Sequence, residues 1–273
     1  MEVWRLRCSV FRGTPHGLFL CLFQRAKLLR VRGEGLGQVT RIKRKKLGFA
    51  KRVIKAGLLC LVLFLVVSVV QVAVLRVVNP PFTGTMISNW IADKVTGREA
   101  QWLDPEWRPL RKISPHLRRS VLAGEDQRFT THNGFDFVEM NQAVQDALAG
   151  GRVRGASTIT MQVARTVFLW PGRNLVRKGL EVYYTVLIEA FWSKKRILEV
   201  YLNTVDWGED AAGAEMASKK YFRTNASTLT AEQAALLAAI LPSPHHWSPE
   251  HPTEYVKERQ RRILEDMKKM PLL

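Results

Sequence analysis

Twenty consecutive residues, Ala56 to Leu75, carry no charge, and only Ser68 and Gln71 among them are strongly polar. At about 1.5 Å rise per residue, an α-helix of that length spans roughly 30 Å, the thickness of a bilayer core. Lipid offers no partner for exposed backbone groups, so a helix is the conformation left to such a segment. Its flanks are unequal. Arg41, Lys43, Arg44, Lys45, Lys46, Lys51, Arg52 and Lys55 crowd the N-terminal side, whereas after Arg76 the next basic residue is Lys94. This asymmetry predicts a cytosolic tail over 1–55, a transmembrane helix over 56–76, and residues 77–273 on the far side of the membrane. A cleaved signal peptide is the competing reading, but the run is longer than a signal h-region and no clear small-x-small site follows it.

The charge distribution supports the same division. The formal net charge is +18, of which residues 1–55 supply +13: 15 Lys and Arg against Glu2 and Glu34. A uniformly basic protein of 273 residues would suggest nucleic acid, but here topology accounts for the excess and no nucleic-acid partner is expected. Cys8, Cys21 and Cys60 all precede the exported part, which must therefore rely on its own core and not on disulfides. No His or Cys spacing suggests a metal site, and His245, His246 and His251 fall in a Pro-rich loop. Leu18 to Leu29 is apolar with interspersed charge and receives no function.

Beyond the anchor, Asn79-Pro80-Pro81 ends any continuing helix, and a membrane-proximal segment (77–110) leads into one domain (111–273). Met86, Ile87, Trp90 and Ile91 recur at helical spacing near the bilayer surface. The domain reads as helices with short loops. Ser114-Pro115 starts one; Asp136 caps a run to Leu148; Ser157-Thr158 opens a helix through Phe168. Further helices are expected over 174–192, from Lys194 to Leu202, after the capping box Thr230-Ala-Glu-Gln233, and from Pro252 to Lys269. No useful period-2 alternation is present, so the fold class is mainly α.

Four segments carry candidate chemistry. In Glu125–Gly134 two adjacent carboxylates end an apolar helix; burial there raises the pKa of a carboxylate toward the range useful for proton transfer, and Asp126 is free to orient the loop. A capped, solvated helix end is the plain alternative. Gly155 to Gln162 places small residues and hydroxyls at a helix N-terminus, suited to anionic oxygens, although Ser and Thr are ordinary caps. Arg177 and Glu181, with Lys178, share a helix face, which a surface ion pair would explain as well as a phosphate-binding cluster. Arg196 to Asn203 reads as structural support, with Glu199 and Asn203 bonding neighbouring loops.

Taken together and in this order, the segments resemble the peptidoglycan glycosyltransferases, the domain of class A penicillin-binding proteins and of monofunctional biosynthetic transglycosylases. The family patterns ED-x-x-F-x-x-H-x-G, G-x-S-T-x-x-Q-Q, RK-x-x-E and RILE-x-Y-L-N correspond to Glu125–Gly134, Gly155–Gln162, Arg177–Glu181 and Arg196–Asn203, and the match covers roughly 80–270. There is no room for a transpeptidase domain, which implies the monofunctional type. Met161 stands where the family has the first of two glutamines, and Arg165-Thr166 where it commonly has Lys-Asn.

The resemblance implies a lysozyme-like glycosyltransferase domain acting on lipid II, an undecaprenyl-pyrophosphate-linked disaccharide-peptide. It implies β-1,4 glycan strands formed with inversion, release of undecaprenyl pyrophosphate, and contact with cell-wall synthesis and division proteins. Glu125 is the expected general base and Glu181 the second catalytic carboxylate. Substrate-binding residues are expected to be Asp126, Phe129, His132, Ser157, Thr158, Gln162, Arg165, Arg173, Arg177 and Lys178, with room for a divalent cation (Mg or Mn) at the pyrophosphate. A lysozyme-like wall hydrolase is the alternative, since it too would use a Glu at a helix end.

Overall fold

The computed structural model describes residues 51–97, 106–151, 155–172, 174–209 and 211–273; residues 1–50 of the basic tail, with Leu18 to Leu29, lie outside them. Every regular element among the described residues is helical, and the one pairing of extended backbone is an isolated bridge between Asp206 and Ala212. The chain is mainly α, as its sequence predicts.

The first helix, α1 (Lys51–Leu75), is long and apolar enough to cross a membrane. From Lys51 to Val67 its residues are exposed, Leu58, Leu59, Leu63 and Phe64 among them. An apolar surface of this kind is stable against lipid and not against water.

The second compact unit, Ser68–Leu273, takes in the last two turns of that helix. Val72 and Leu75 are buried in its core. Backbone carbonyls at and just beyond the end of α1 are held by side chains of the domain. Trp192 Nε1 donates to Val72 O (2.7 Å), and Arg196 Nη2 donates to Leu75 O (3.0 Å) and Val78 O (2.7 Å).

Helices α2 (Gly84–Thr96), α3 (Pro115–Glu125), α4 (Phe137–Leu148), α5 (Ile159–Phe168), α6 (Leu175–Phe191), α7 (Lys194–Thr204), α8 (Ala214–Phe222), α9 (Ala231–Ile240) and α10 (Glu254–Asp266) follow. Their starts obey local chemistry. Ser114, Asp136, Thr158, Asn174, Ser193, Thr230 and Thr253 each accept a backbone N–H of the first turn, and Thr230 with Gln233 completes the expected capping box. Each such cap stabilises its helix by about 1 kcal/mol. No helix is expected from the sequence over α8, whose N-cap, Gly213, offers no side chain to accept a first-turn N–H.

Two packed groups position the site. Helix α9 buries Ala234, Ala235, Leu237, Ala238 and Ile240, and its small side chains let α3 and α10 lie close on either side. Helix α5 packs against α6 and α7.

Candidate active site

Glu125 is the last residue of α3, and both of its oxygens are occupied by helices far along the chain. Gln162 Nε2, on α5, donates to Oε2 (3.0 Å), and Arg259 Nη2, on α10, donates to Oε1 (3.0 Å). The amide of Gln162 is itself oriented, because the Tyr201 hydroxyl on α7 donates to its Oε1 (3.1 Å). Only 13% of the Glu125 side chain is exposed. Burial raises the Glu125 pKa above the usual carboxylate range, opposed by the Gln162 bond and by the charges of Arg259 and Arg165. Tyr201 is pushed well up, first by burial and then by the Glu125 charge, so it stays a hydrogen-bond donor.

Asp126 turns the other way. His132 Nε2 lies 2.9 Å from its Oδ1, and the Ile159 N–H donates to its Oδ2 at 3.0 Å. The anion at the N-terminus of α5 is thus the protein's own Asp126, where the sequence alone suggested a place for a ligand oxygen. Thr158 donates to Gly134 O (2.6 Å) while accepting from the Met161 N–H. Gly134 has φ +87°, and a Cβ there would lie 2.7 Å from Thr185 Cγ2 on α6, so only glycine fits between α5 and α6. Phe129 is buried, with Lys194 Nζ 4.4 Å from its ring centroid, and Ser157 is half-buried beside the cap. Met161 is buried as well, so its apolar side chain suits its surroundings.

Asp126, His132 and Asp136 bring three potential ligand atoms within 4.8 Å of one another. Their oxygens already have partners: Asp136 Oδ1 caps α4 and its Oδ2 lies 3.4 Å from Arg128 Nε. These contacts hold together the loop before α4.

On α6 the Arg177–Glu181 pair, which its spacing leaves open between a surface ion pair and a phosphate-binding cluster, is buried. Glu181 is 0% exposed and takes Arg177 Nη1 on Oε2 (3.0 Å) and Lys178 Nζ on Oε1 (2.6 Å). Arg177 is buried with it, whereas Lys178 remains about half exposed and free to meet a ligand. Glu181 thus has one cation on each oxygen, and these two charges offset its own where solvent cannot. Arg173 and Arg154 lie outside the described residues. The fourth segment is structural, as expected: Glu199 accepts the Leu110 N–H (2.8 Å), and Asn203 accepts the Arg108 N–H (2.7 Å) and donates to its carbonyl (2.9 Å).

Arg259 is the participant that sequence reasoning missed. It sits in a basic amphipathic helix among Arg261 and Arg262, and nothing local marks it as the one that turns inward. The family model for transglycosylases matches residues 92–268, a span that includes every element just described from α3 to α10. The chain belongs to the transglycosylase family. It is 46% identical over 220 residues to the biosynthetic peptidoglycan transglycosylase of Pseudomonas syringae, which covers 81% of this chain and 91% of the relative. The corresponding proteins of Caulobacter vibrioides (46% over 216 residues; 79% and 91%) and Stutzerimonas stutzeri (48% over 203 residues; 74% and 84%) are similarly close. This transglycosylase therefore matches these relatives over 84–91% of their own length.

Proposed function

We propose that this transglycosylase polymerises lipid II into β-1,4 glycan strands on the outer face of the inner membrane, inverting the anomeric carbon and releasing undecaprenyl pyrophosphate. The observation that carries this reading is the Glu125 carboxylate, desolvated at a helix end and gripped on both oxygens by Gln162 and Arg259. Each oxygen keeps a further lone pair. One of them accepts the proton of the acceptor sugar 4-hydroxyl as that oxygen attacks the donor's anomeric carbon. The electron pair of the breaking C–O bond leaves with the pyrophosphate, already stable as an anion, so cations replace an acid on that side. Lys178 supplies positive charge there, held by Glu181, with Arg177 behind it and Arg173 as a further candidate. No step is assigned to a divalent cation.

The membrane supports the same reading. Both substrates are lipids, α1 is long and apolar enough to be the anchor, and the basic residues before it favour a cytosolic N-terminus. Trp90 and Ile91 on α2 and Phe137, Val138 and Val144 on α4 are exposed apolar side chains suited to the outer leaflet.

The test is gel analysis of polymer made from labelled lipid-linked precursor by wild type and Glu125→Gln. Loss of polymer with the fold intact is expected; polymer from the variant overturns the base assignment. Soluble fragments released from purified sacculi would instead identify a hydrolase.

A further inference from the structure

We infer that Arg259 is a positioning residue, carried by the C-terminal helix α10, that fixes the Glu125 carboxylate and holds it ionised for proton abstraction. The inference rests on the reading of Glu125 as the base.

One guanidinium nitrogen does two things. Arg259 Nη2 donates to Glu125 Oε1 at 3.0 Å and to Gly124 O at 2.9 Å. Gly124 O is one of the last four carbonyls of α3, which have no intrahelical partner. A cation there also faces the negative end of the α3 dipole. Arg259 thus completes the end of α3 with the same atom that orients the carboxylate. Because the Glu125 side chain is 13% exposed and that of Arg259 22%, solvent screens the pair weakly.

The backbone makes room for this contact. A Cβ at Gly124 would lie 3.1 Å from Ile263 Cδ1 of α10 and 3.7 Å from the Ala238 Cβ of α9. Glycine at this position therefore lets α10 approach the last turn of α3, where Arg259 can reach.

The groups facing Glu125 are Arg259 from α10, Arg165 from α5, the neighbouring Asp126, and Tyr201 of α7 through Gln162. From α9, Ala238 lies beside Gly124 and does not titrate. Of the charged groups, Arg259 alone among the described residues bonds the carboxylate directly. Burial favours the protonated carboxyl, and Arg259 opposes it. Without Arg259 the base is protonated over a wider range, so the acid limb of the activity profile moves to higher pH.

The experiment measures kcat and KM against pH for wild type, Arg259→Gln, Arg259→Met and Arg259→Lys, in the full chain, with thermal unfolding as the control for folding. The Gln and Met variants are expected to move the acid limb upward by about one pH unit, a roughly tenfold loss of kcat below the limb with little change in KM. Lys keeps the charge without the fork and is expected to return the limb most of the way. The Met variant preserves the packing of the stem and decides the matter if Gln does not fold. A limb that coincides with wild type in a folded Gln or Met variant overturns the inference, as does a folded Lys variant that behaves like Met. Glu125→Gln is run alongside. Polymer from it overturns the base reading and this inference together, whereas an inactive Glu125→Gln beside unmoved Arg259 limbs overturns the inference alone.

Discussion

Arg177 and Glu181, one helical turn apart on α6, form a buried ion pair at 3.0 Å, although the same spacing in a sequence usually marks a solvated surface pair. Removing one partner of such a pair leaves the other charge buried and uncompensated. Glu181→Gln is expected to lower stability by about 3 kcal/mol, read by urea unfolding of the detergent-solubilised protein. Replacing both residues with Met is expected to recover most of that loss, because a well-packed apolar pair often replaces a buried ion pair without penalty. Polymerisation is expected to stay lost in the double variant. Recovered activity there would remove the pair from the chemistry.

Gly134 makes a second prediction, about the loop between α3 and α4. At φ +87° its Cβ would meet Thr185 Cγ2 at 2.7 Å and Glu189 Cγ at 3.0 Å, so an alanine would be strained in its backbone and crowded against α6. Gly134→Ala is expected to cost about 2–3 kcal/mol. It should also disturb the Thr158 bond to Gly134 O and with it the start of α5. A melting temperature equal to wild type would contradict this.

What the sequence made legible was local. The caps at Ser114, Asp136 and Thr158, the Thr230–Gln233 box and the helices behind them follow from residues within one turn of each other. The support role of Glu199 and Asn203 was legible for the same reason: they lie four apart on one face of α7 and reach a loop. What was hidden depends on long-range packing. Arg259 and Glu125 are 134 residues apart, and only the close approach of α10 to Gly124 joins them. The burial of Glu181 was hidden too, because the spacing of a pair fixes a shared face but not what covers it. Helix α8 was missed because Gly213 opens it without the side-chain cap that reveals the others.

Glu215 provides a pH-dependent prediction away from the chemistry. It is buried at the start of α8, accepting Arg108 Nη2 (2.9 Å) and the Ala226 N–H (2.9 Å). Burial pushes its pKa up, but these bonds outweigh it, and the carboxyl titrates below its usual range. A carboxyl with a depressed folded-state pKa contributes stability that is fully present above the unfolded value, about 4.3, and is lost as pH falls through the folded one. Glu215→Gln is therefore expected to be about 1–3 kcal/mol less stable than wild type at pH 7. The difference should shrink as pH drops below about 4, where the wild-type carboxyl also becomes neutral. A difference that stays constant from pH 7 to pH 3 would assign the loss to packing.

The end of α1 supplies the last prediction. Val72 and Leu75 belong to the domain core, Trp192 Nε1 donates to Val72 O, and Ser68 Oγ lies 2.6 Å from the Tyr183 hydroxyl. Two chains shortened at the N-terminus should therefore behave differently, although both lack the exposed apolar part of α1. A chain beginning at Ser68 keeps these contacts and is expected to unfold like the full-length domain. One beginning at Asn79 loses the burial of two apolar side chains, worth about 1.5–3 kcal/mol each. It also leaves the buried Trp192 Nε1 without an acceptor, at about 1–3 kcal/mol. Chemical denaturation of the two in the same detergent reads the difference, expected to be several kcal/mol. Equal midpoints would mean that the last turns of α1 rest on the domain without stabilising it.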